Sequence, residues 1–212
     1  PTAALPMASE KILSEIDMVL VSHLHKDHFD PEAMDRIPKD TTVICRTEDA
    51  GTLEENRFSR IQAMDEVTEY NGIRIQAVPA RHGTSQGVLQ DMGTTCGFIL
   101  KSETEPTVYW VGDSVWYEGV EKTISRWQPN VILTHSGGAV WNRNEFIIMD
   151  AKQTISVCRE APDSQVVAIH LEAFDHCTVT RSGLREFARE AGIPDGRLLI
   201  PADGEEIVIK DQ

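Results

Sequence analysis

The sequence lacks most of the features that mark secreted or membrane proteins. Its four cysteines lie far apart and form no Cys-x-x-Cys pair, so neither a disulfide framework nor a structural zinc knuckle is indicated. No apolar run approaches the roughly 20 residues that a membrane-spanning helix needs. The N-terminal segment has no basic stretch followed by an apolar one, so it does not resemble a signal peptide. These absences predict a cytoplasmic protein with reduced thiols.

Basic residues are scarce as well. The chain has 20 Lys and Arg against 34 Asp and Glu, a formal net charge of -14. Such a surface repels nucleic acid and anionic membranes, because phosphate binding requires clustered Lys and Arg. We therefore expect a small-molecule substrate and neither a nucleic-acid nor a membrane partner. An anionic substrate stays compatible, since bound metal cations reverse the local field, and the composition is also compatible with a homo-oligomer.

The pattern of apolar residues predicts one α/β or α+β domain over residues 1–212. No repeat, low-complexity segment or Pro/Gly-rich linker divides the chain. Buried strands are expected at six short Val- and Ile-rich runs, Asp17–Ser22, Thr42–Arg46, Val108–Val111, Asn130–Thr134, Gln165–Ile169 and Arg197–Ile200. Helices are expected at Ser114–Trp127, Met149–Glu160 and Thr180–Ala191.

Two hairpins are also expected. In EVTEYNGIRIQAV, alternating residues flank Asn71-Gly72, a pair that adopts positive φ in tight turns. CGFILKSETEPTVYWVG resembles a second hairpin with a longer loop. Hairpins combined with β-α alternation indicate a layered fold.

The segment DMVLVSHLHKDHFD, residues 17–30, carries the strongest chemical signal. A predicted strand runs into a loop that holds His23, His25, Asp27 and His28. Imidazole and carboxylate groups are the expected ligands of zinc and similar divalent metals. Such crowding is costly without a cation, so a solvated His-rich loop is the weaker interpretation.

This segment resembles the signature His-x-His-x-Asp-His of the metallo-β-lactamase superfamily. The superfamily then has a His, an Asp and a final His after later strands, and this chain offers His82, Asp113 and His170 in that order. The resemblance extends from about residue 17 to the C-terminus. GDSVWYEGV and the closing HLEAFDH segment resemble the L-ascorbate-6-phosphate lactonase-like branch.

The resemblance implies two divalent metal ions, with Zn²⁺ favoured and Mn²⁺ or Fe²⁺ as alternatives. By position, His23, His25 and His82 would hold the first ion, and Asp27, His28 and His170 the second. Asp113 would bridge the two.

Some of these residues have simpler interpretations. His82 alone is compatible with an exposed turn residue, and Asp113 with a cap of the following helix. His176 lies six residues after His170 and is the alternative last ligand. We expect His170 to be the ligand, because a strand fixes it, and His176 to contact substrate or protonate the leaving group.

His135 ends a predicted strand at the same edge. It would contact substrate or shuttle protons. The alternatives are a supporting hydrogen bond to the site and a plain loop histidine. Cys177 is not expected to be a nucleophile, because hydroxide between two metals already supplies one. Trp110 is expected either to line the pocket or to lie in the core.

The resemblance implies a four-layer αββα sandwich. Superfamily members carry some tens of residues before the His-rich loop, whereas 22 precede it here. Either the numbering begins inside the domain or N-terminal strands of the first sheet are missing.

The resemblance further implies a dinuclear hydrolase in which a metal-bridging hydroxide attacks a small ester, lactone or phosphoester and Asp27 accepts the proton. A mononuclear iron dioxygenase of the same fold and a non-catalytic metal-stabilised binding module are the alternatives.

Overall fold

The structure of the protein, a computed structural model, describes residues 4–142 and 145–209. Its contacts divide the chain into two compact units, a smaller one over Leu5–Thr68 and a larger one from Glu69 onward. Among the described residues, no helix combines the length and the apolar content that crossing a bilayer requires. The single domain over residues 1–212 stays a prediction.

The smaller unit is built on a three-stranded parallel sheet. In spatial order its strands are β1 (Met18–Leu20), β2 (Thr42–Arg46) and β3 (Arg60–Met64). Its helices are α1 (Ser9–Ser14), α2 (Pro31–Arg36) and α3 (Ala50–Glu55), with a 3-10 turn at Thr47–Asp49. Buried apolar side chains of this unit, Phe29, Val43, Leu53 and Phe58 among them, form its core.

The larger unit contains a seven-stranded mixed sheet. In chain order its strands are β4 (Val67–Tyr70), β5 (Ile73–Pro79), β6 (Cys96–Lys101), β7 (Val108–Trp110), β8 (Val131–His135), β11 (Gln165–Ile169) and β12 (Leu198–Leu199), and their spatial order is β12-β11-β8-β7-β6-β5-β4. A separate antiparallel pair joins β9 (Val140–Trp141) and β10 (Glu145–Phe146). The helices of the larger unit are α4 (Gln86–Met92), α5 (Glu118–Trp127), α6 (Ala151–Glu160) and α7 (Arg181–Glu190).

One face of this sheet packs against helices. Tyr109, Ile132 and Val166 lie side by side on β7, β8 and β11 and are fully buried. They belong to one core cluster with Ile124 of α5 and Val157 of α6. Each such side chain stabilises the fold by about 1.5–3 kcal/mol through burial, so this layer fixes the helices on the strands.

The order of the strands places three polar segments at one edge. Strands β7, β8 and β11 run parallel, so their carboxyl ends lie together. Asp113 follows β7, His135 ends β8 and His170 follows β11. This edge is where loops collect functional side chains in open α/β sheets.

All six predicted strands are present. Thr42–Arg46 and Gln165–Ile169 have the predicted bounds, and the other four runs contain shorter or shifted strands. The turn at Asn71-Gly72 links β4 to β5, with φ of 48° and 80°, and β6 pairs antiparallel with β7. Both predicted hairpins are therefore confirmed.

The helix predicted from Ser114 begins only at Glu118, so that prediction is wrong at its start. The reason is a set of competing contacts with Arg81. The Arg81 amide donates to Ser114 Oγ at 3.0 Å, and the Val115 amide donates to the Arg81 carbonyl at 2.8 Å. These bonds hold the segment in a non-helical conformation.

The third predicted helix gives the first testable prediction. Thr180 caps α7, because its Oγ1 accepts from the Gly183 amide at 3.1 Å. Thr180→Ala should lower the free energy of unfolding by about 1 kcal/mol in urea titrations. Ser156→Ala at a half-buried position of α6 is the control and should be neutral or stabilising, because Ala is the better helix former. Equal effects of the two substitutions would contradict the capping role.

Candidate functional site

The loop after β1 brings three histidine rings together within the smaller unit. The centroid of the His23 ring lies 4.4 Å from that of His25 and 4.4 Å from that of His28. The amides of His28 and Phe29 both donate to the His25 carbonyl at 2.9 Å, which closes a tight turn. Phe29 is buried in the core of this unit, so a packed side chain anchors the turn.

Two further groups contribute to this loop. The Ser22 hydroxyl lies 3.0 Å from Nδ1 of the buried His23. A bond at Nδ1 leaves Nε2 as the ring nitrogen for coordination, as in many metal sites. Asp27 Oδ2 lies 3.7 Å from His28 Nε2. The motif is thus a compact group of imidazoles beside one carboxylate.

His82 lies in the loop after β5, in the larger unit. Its side chain is buried, and Nδ1 lies 2.8 Å from the Ile147 carbonyl oxygen. A carbonyl can only accept, so Nδ1 carries a proton, and Nε2 is the ring nitrogen that remains for a metal ion or a second proton. Because His82 is buried, it is not the exposed turn residue that the sequence left as an alternative.

Asp113 follows β7 in a buried Gly-Asp-Ser turn. Gly112 has φ of 67°, and a Cβ there would lie 2.8 Å from the Cys96 carbonyl, so only glycine fits. Asp113 precedes α5 by five residues and Tyr117 occupies the N-cap position, so the capping alternative does not hold either. Its Oδ2 lies 3.4 Å from His82 Nε2.

His82 and Asp113 form a buried pair in which an imidazole nitrogen faces a carboxylate oxygen. A buried carboxylate requires a positive charge beside it, which either a proton on His82 Nε2 or a bound metal ion supplies. An imidazole and a carboxylate are ligands of divalent metals, so these donors fit such an ion.

His135 contacts two of the groups at this edge. Trp110 Nε1 lies 3.0 Å from His135 Nε2, and His135 Nδ1 lies 2.5 Å from Asp113 Oδ1. The His135 ring also lies 4.9 Å from the His170 ring, measured between centroids. Trp110 therefore contacts a site residue, a contact that its position on a strand did not reveal.

His170 directly follows β11 and adopts φ of 58°, an uncommon left-handed conformation for a residue with a side chain. Neighbouring contacts hold it there. Leu171 is buried, and Glu172 forms a 2.6 Å ion pair with Arg181 of α7. The backbone at His170 is therefore held in a fixed conformation, as a metal ligand requires.

His176 lies in a looser position. Its side chain is 36% exposed, and its nearest charged partner is the exposed Asp175, with Nδ1 3.5 Å from Oδ1. Its ring contacts Phe174, which also contacts His170. Cys177 Sγ lies 4.0 Å from His170 Nδ1. His170 and His176 therefore differ in how firmly they are held, and the division of roles between them stays a prediction.

The contacts of Glu145 with the His82 loop could not be predicted from the sequence. Glu145 of β10 accepts hydrogen bonds from the amides and hydroxyls of Thr84 and Ser85, and thereby ties down the loop that carries His82. These bonds, first of all that from the Thr84 hydroxyl, lower the pKa of Glu145 to about 2. Its partners lie 60 residues away in the chain, so no local pattern reveals them.

Comparison with known proteins defines the class of this chain. Residues 1–171 match the family model described as the Beta-lactamase superfamily domain. The chain therefore belongs to the metallo-β-lactamase superfamily, and it has the mixed α/β fold of that superfamily, with helices flanking the sheets. Both of these predictions are confirmed.

Three relatives are similar to the chain over most of its length. The isothiocyanate hydrolase from Delia radicum gut bacteria is 32% identical, with a TM-score of 0.90 over 97% of this chain and 80% of that one. A "possible metal-dependent hydrolase" from Veillonella parvula is 31% identical, with a TM-score of 0.89 over 94% and 79%. The UPF0173 protein YddR of Bacillus subtilis is 32% identical over 97% of this chain and 81% of its own length. Enzyme class and fold are thus confirmed at the level of the family.

The Gly137 position gives a second prediction. A Cβ at Gly137 would lie 2.2 Å from the His170 carbonyl oxygen, so the His170 loop would have to move. Gly137→Ala should weaken metal binding about tenfold or more, as losses of supporting contacts do, measured by competition with a chelator. Gly51→Ala, where a Cβ meets nothing within 4 Å, is the control. Wild-type metal affinity in Gly137→Ala would contradict the close approach.

Glu145 gives a third prediction, which concerns pH. Because the pKa of Glu145 is lowered in the folded state, its stabilisation is complete above about pH 4.5 and is lost as the pH falls toward 2. The stability difference between wild type and Glu145→Gln in urea should be constant above pH 4.5 and shrink below it. Glu186→Gln on the exposed face of α7 is the control. A difference that grows on acidification would rule out the carboxylate as acceptor.

Proposed function

We propose that the chain is a dinuclear metal-dependent hydrolase acting on a small ester, lactone or phosphoester. The observation that carries this proposal is the buried contact between an imidazole and a carboxylate, with His82 Nε2 3.4 Å from Asp113 Oδ2. The second support is the unbroken His-x-His-x-Asp-His segment at residues 23–28. Membership in the superfamily and relatives described as metal-dependent hydrolases agree with it.

The proposed ligands are the seven residues that the resemblance implies. His23, His25 and His82 would hold the first ion, and Asp27, His28 and His170 the second, with Asp113 shared. When bound, two divalent ions polarise the substrate and lower the pKa of a water to about 7, which supplies a hydroxide nucleophile. Zn²⁺ is the favoured ion, because histidine and carboxylate are its usual ligands.

The protein's own groups orient the donors and move protons. The Ile147 carbonyl keeps the proton of His82 on Nδ1, and Ser22 positions His23. The carboxylate of Asp27 is the proposed proton acceptor as the intermediate collapses. The partly exposed His176 ring is the proposed donor to the leaving group, since a group that meets substrate must be reachable.

A second substrate class is supported by one observation. The relative described as an isothiocyanate hydrolase shares 32% identity and a TM-score of 0.90 over nearly the whole chain. The central carbon of an isothiocyanate is electrophilic, like the carbonyl carbon of an ester, so the same nucleophile would serve. We propose isothiocyanates as the alternative substrate class.

The first experiment loads the purified protein with Zn²⁺, Mn²⁺ or Fe²⁺ and screens lactones, thioesters, phosphodiesters, β-lactams and an isothiocyanate. Turnover of one class that needs the metal and is lost on chelation is the expected result. Oxygen consumption by the iron form, with no hydrolysis by any form, would indicate a dioxygenase instead. Metal binding without turnover of any kind would indicate a binding module.

Metal stoichiometry gives the fourth prediction. Asp113→Ala should release both ions and abolish turnover, because the carboxylate is proposed to be shared, whereas His82→Ala should retain the second ion. The measurement is metal content per chain after dialysis, with circular dichroism to verify folding. The isosteric Asp113→Asn controls for a packing defect. Retention of two ions in folded Asp113→Ala would exclude the shared position.

A further inference from the structure

The two hydrogen-bond partners of His135 determine which of its nitrogens carries a proton. Trp110 Nε1 lies 3.0 Å from His135 Nε2. An indole nitrogen is a donor only, so His135 Nε2 must accept and holds a lone pair. The proton of the neutral ring therefore lies on Nδ1, which faces Asp113 Oδ1 at 2.5 Å.

We propose that Trp110 locks His135 as the neutral Nδ1–H tautomer and that His135 is a positioning residue, which donates to Asp113 and fixes the orientation of its carboxylate. Two other roles are then excluded. A ring whose Nδ1 carries a proton has no lone pair there for a metal. A protonated ring would place an N–H of His135 against the N–H of Trp110, so His135 does not cycle its proton.

The surroundings of the three residues agree with a fixed arrangement. Asp113 and His135 are both buried, with 2% and 4% of their surfaces exposed. Trp110 and His135 lie on adjacent strands, which pair in parallel register up to Trp110 and Leu133. Phe98 on β6 packs against Trp110, with ring centroids 5.6 Å apart. These contacts oppose rotation of either ring.

The tautomer also assigns the two oxygens of Asp113. His135 occupies Oδ1, whereas Oδ2 faces His82 Nε2 at 3.4 Å. Oδ2 is therefore the oxygen that Asp113 offers to a cation. The role of His135 in positioning Asp113 rests on the proposed function, but its tautomer does not.

The direct test is nitrogen-15 NMR of the imidazoles in the zinc-loaded and zinc-free protein, with His135→Asn used to assign the signals. We expect His135 with a protonated Nδ1 and an unprotonated Nε2 in both forms. A proton on Nε2, or zinc bound to Nδ1, would overturn the proposal and leave the proposed hydrolase intact. The expected tautomer in a protein that hydrolyses nothing would instead count against the proposed function alone.

Variants test the positioning role. Trp110→Phe removes the N–H and keeps the ring, so the His135 proton should distribute over both nitrogens and zinc affinity should fall about 10- to 100-fold. Trp127→Phe at the end of α5 is the matched control and should leave zinc affinity unchanged. If Trp110→Phe leaves both the His135 tautomer and the zinc affinity unchanged, Trp110 does not fix the tautomer and the proposal is wrong.

His135 substitutions separate donation from proton transfer. His135→Asn keeps an N–H near the position of Nδ1, so it should retain most of the zinc affinity that His135→Ala loses. Its activity should also keep the pH profile of the wild type, because no proton cycles through His135. A pH limb that disappears in His135→Asn, or an Asn variant as weak as the Ala variant, would refute the positioning role.

Discussion

His82 Nε2 lies 3.4 Å from the Asp113 carboxylate, inside the larger unit and away from water. The Ile147 carbonyl orients the His82 ring by accepting a hydrogen bond from Nδ1, so Nε2 is directed at Asp113. A buried carboxylate needs a positive charge beside it, which a proton on Nε2 or a bound metal ion supplies. A metal ion that binds the folded chain at this pair should in turn stabilise the fold.

The surrounding scaffold holds these donors in place. Parallel strands β7, β8 and β11 deliver Asp113, His135 and His170 to one edge. Backbone and side-chain bonds then tie the loops to each other: Arg81 to the Asp113 turn, and Glu145 to the His82 loop. The stability of the loops and the geometry of the donors thus depend on the same contacts. Such contacts keep the ligands of a binding site close to the positions that coordination requires.

Much of the site could be predicted from the sequence, because its signals are local. Each of His82, Asp113 and His170 follows an apolar strand, and the crowding at residues 23–28 is visible in one short segment. The start of α5 could not be predicted, since Ser114 and Val115 bond to a residue more than 30 positions away. The same holds for Glu145, whose partners lie at least 60 positions away in the sequence.

The role of His135 also could not be predicted from the sequence. The sequence places His135 at the correct edge but leaves proton transfer and hydrogen bonding as open alternatives. The decision depends on which atoms face its two nitrogens, and Trp110 lies 25 residues away on a neighbouring strand. A pattern of residue types predicts which groups meet at a strand edge, whereas the protonation of a ring depends on their orientation.

The central claim is that the chain binds two divalent ions that share the Asp113 carboxylate. Anomalous diffraction at the zinc edge, from crystals of the zinc-loaded protein, tests it most directly. We predict two anomalous peaks about 3.5–4 Å apart, with Asp113 Oδ2 in contact with both and His135 in contact with neither. A single peak, or two peaks that Asp113 does not join, would contradict it.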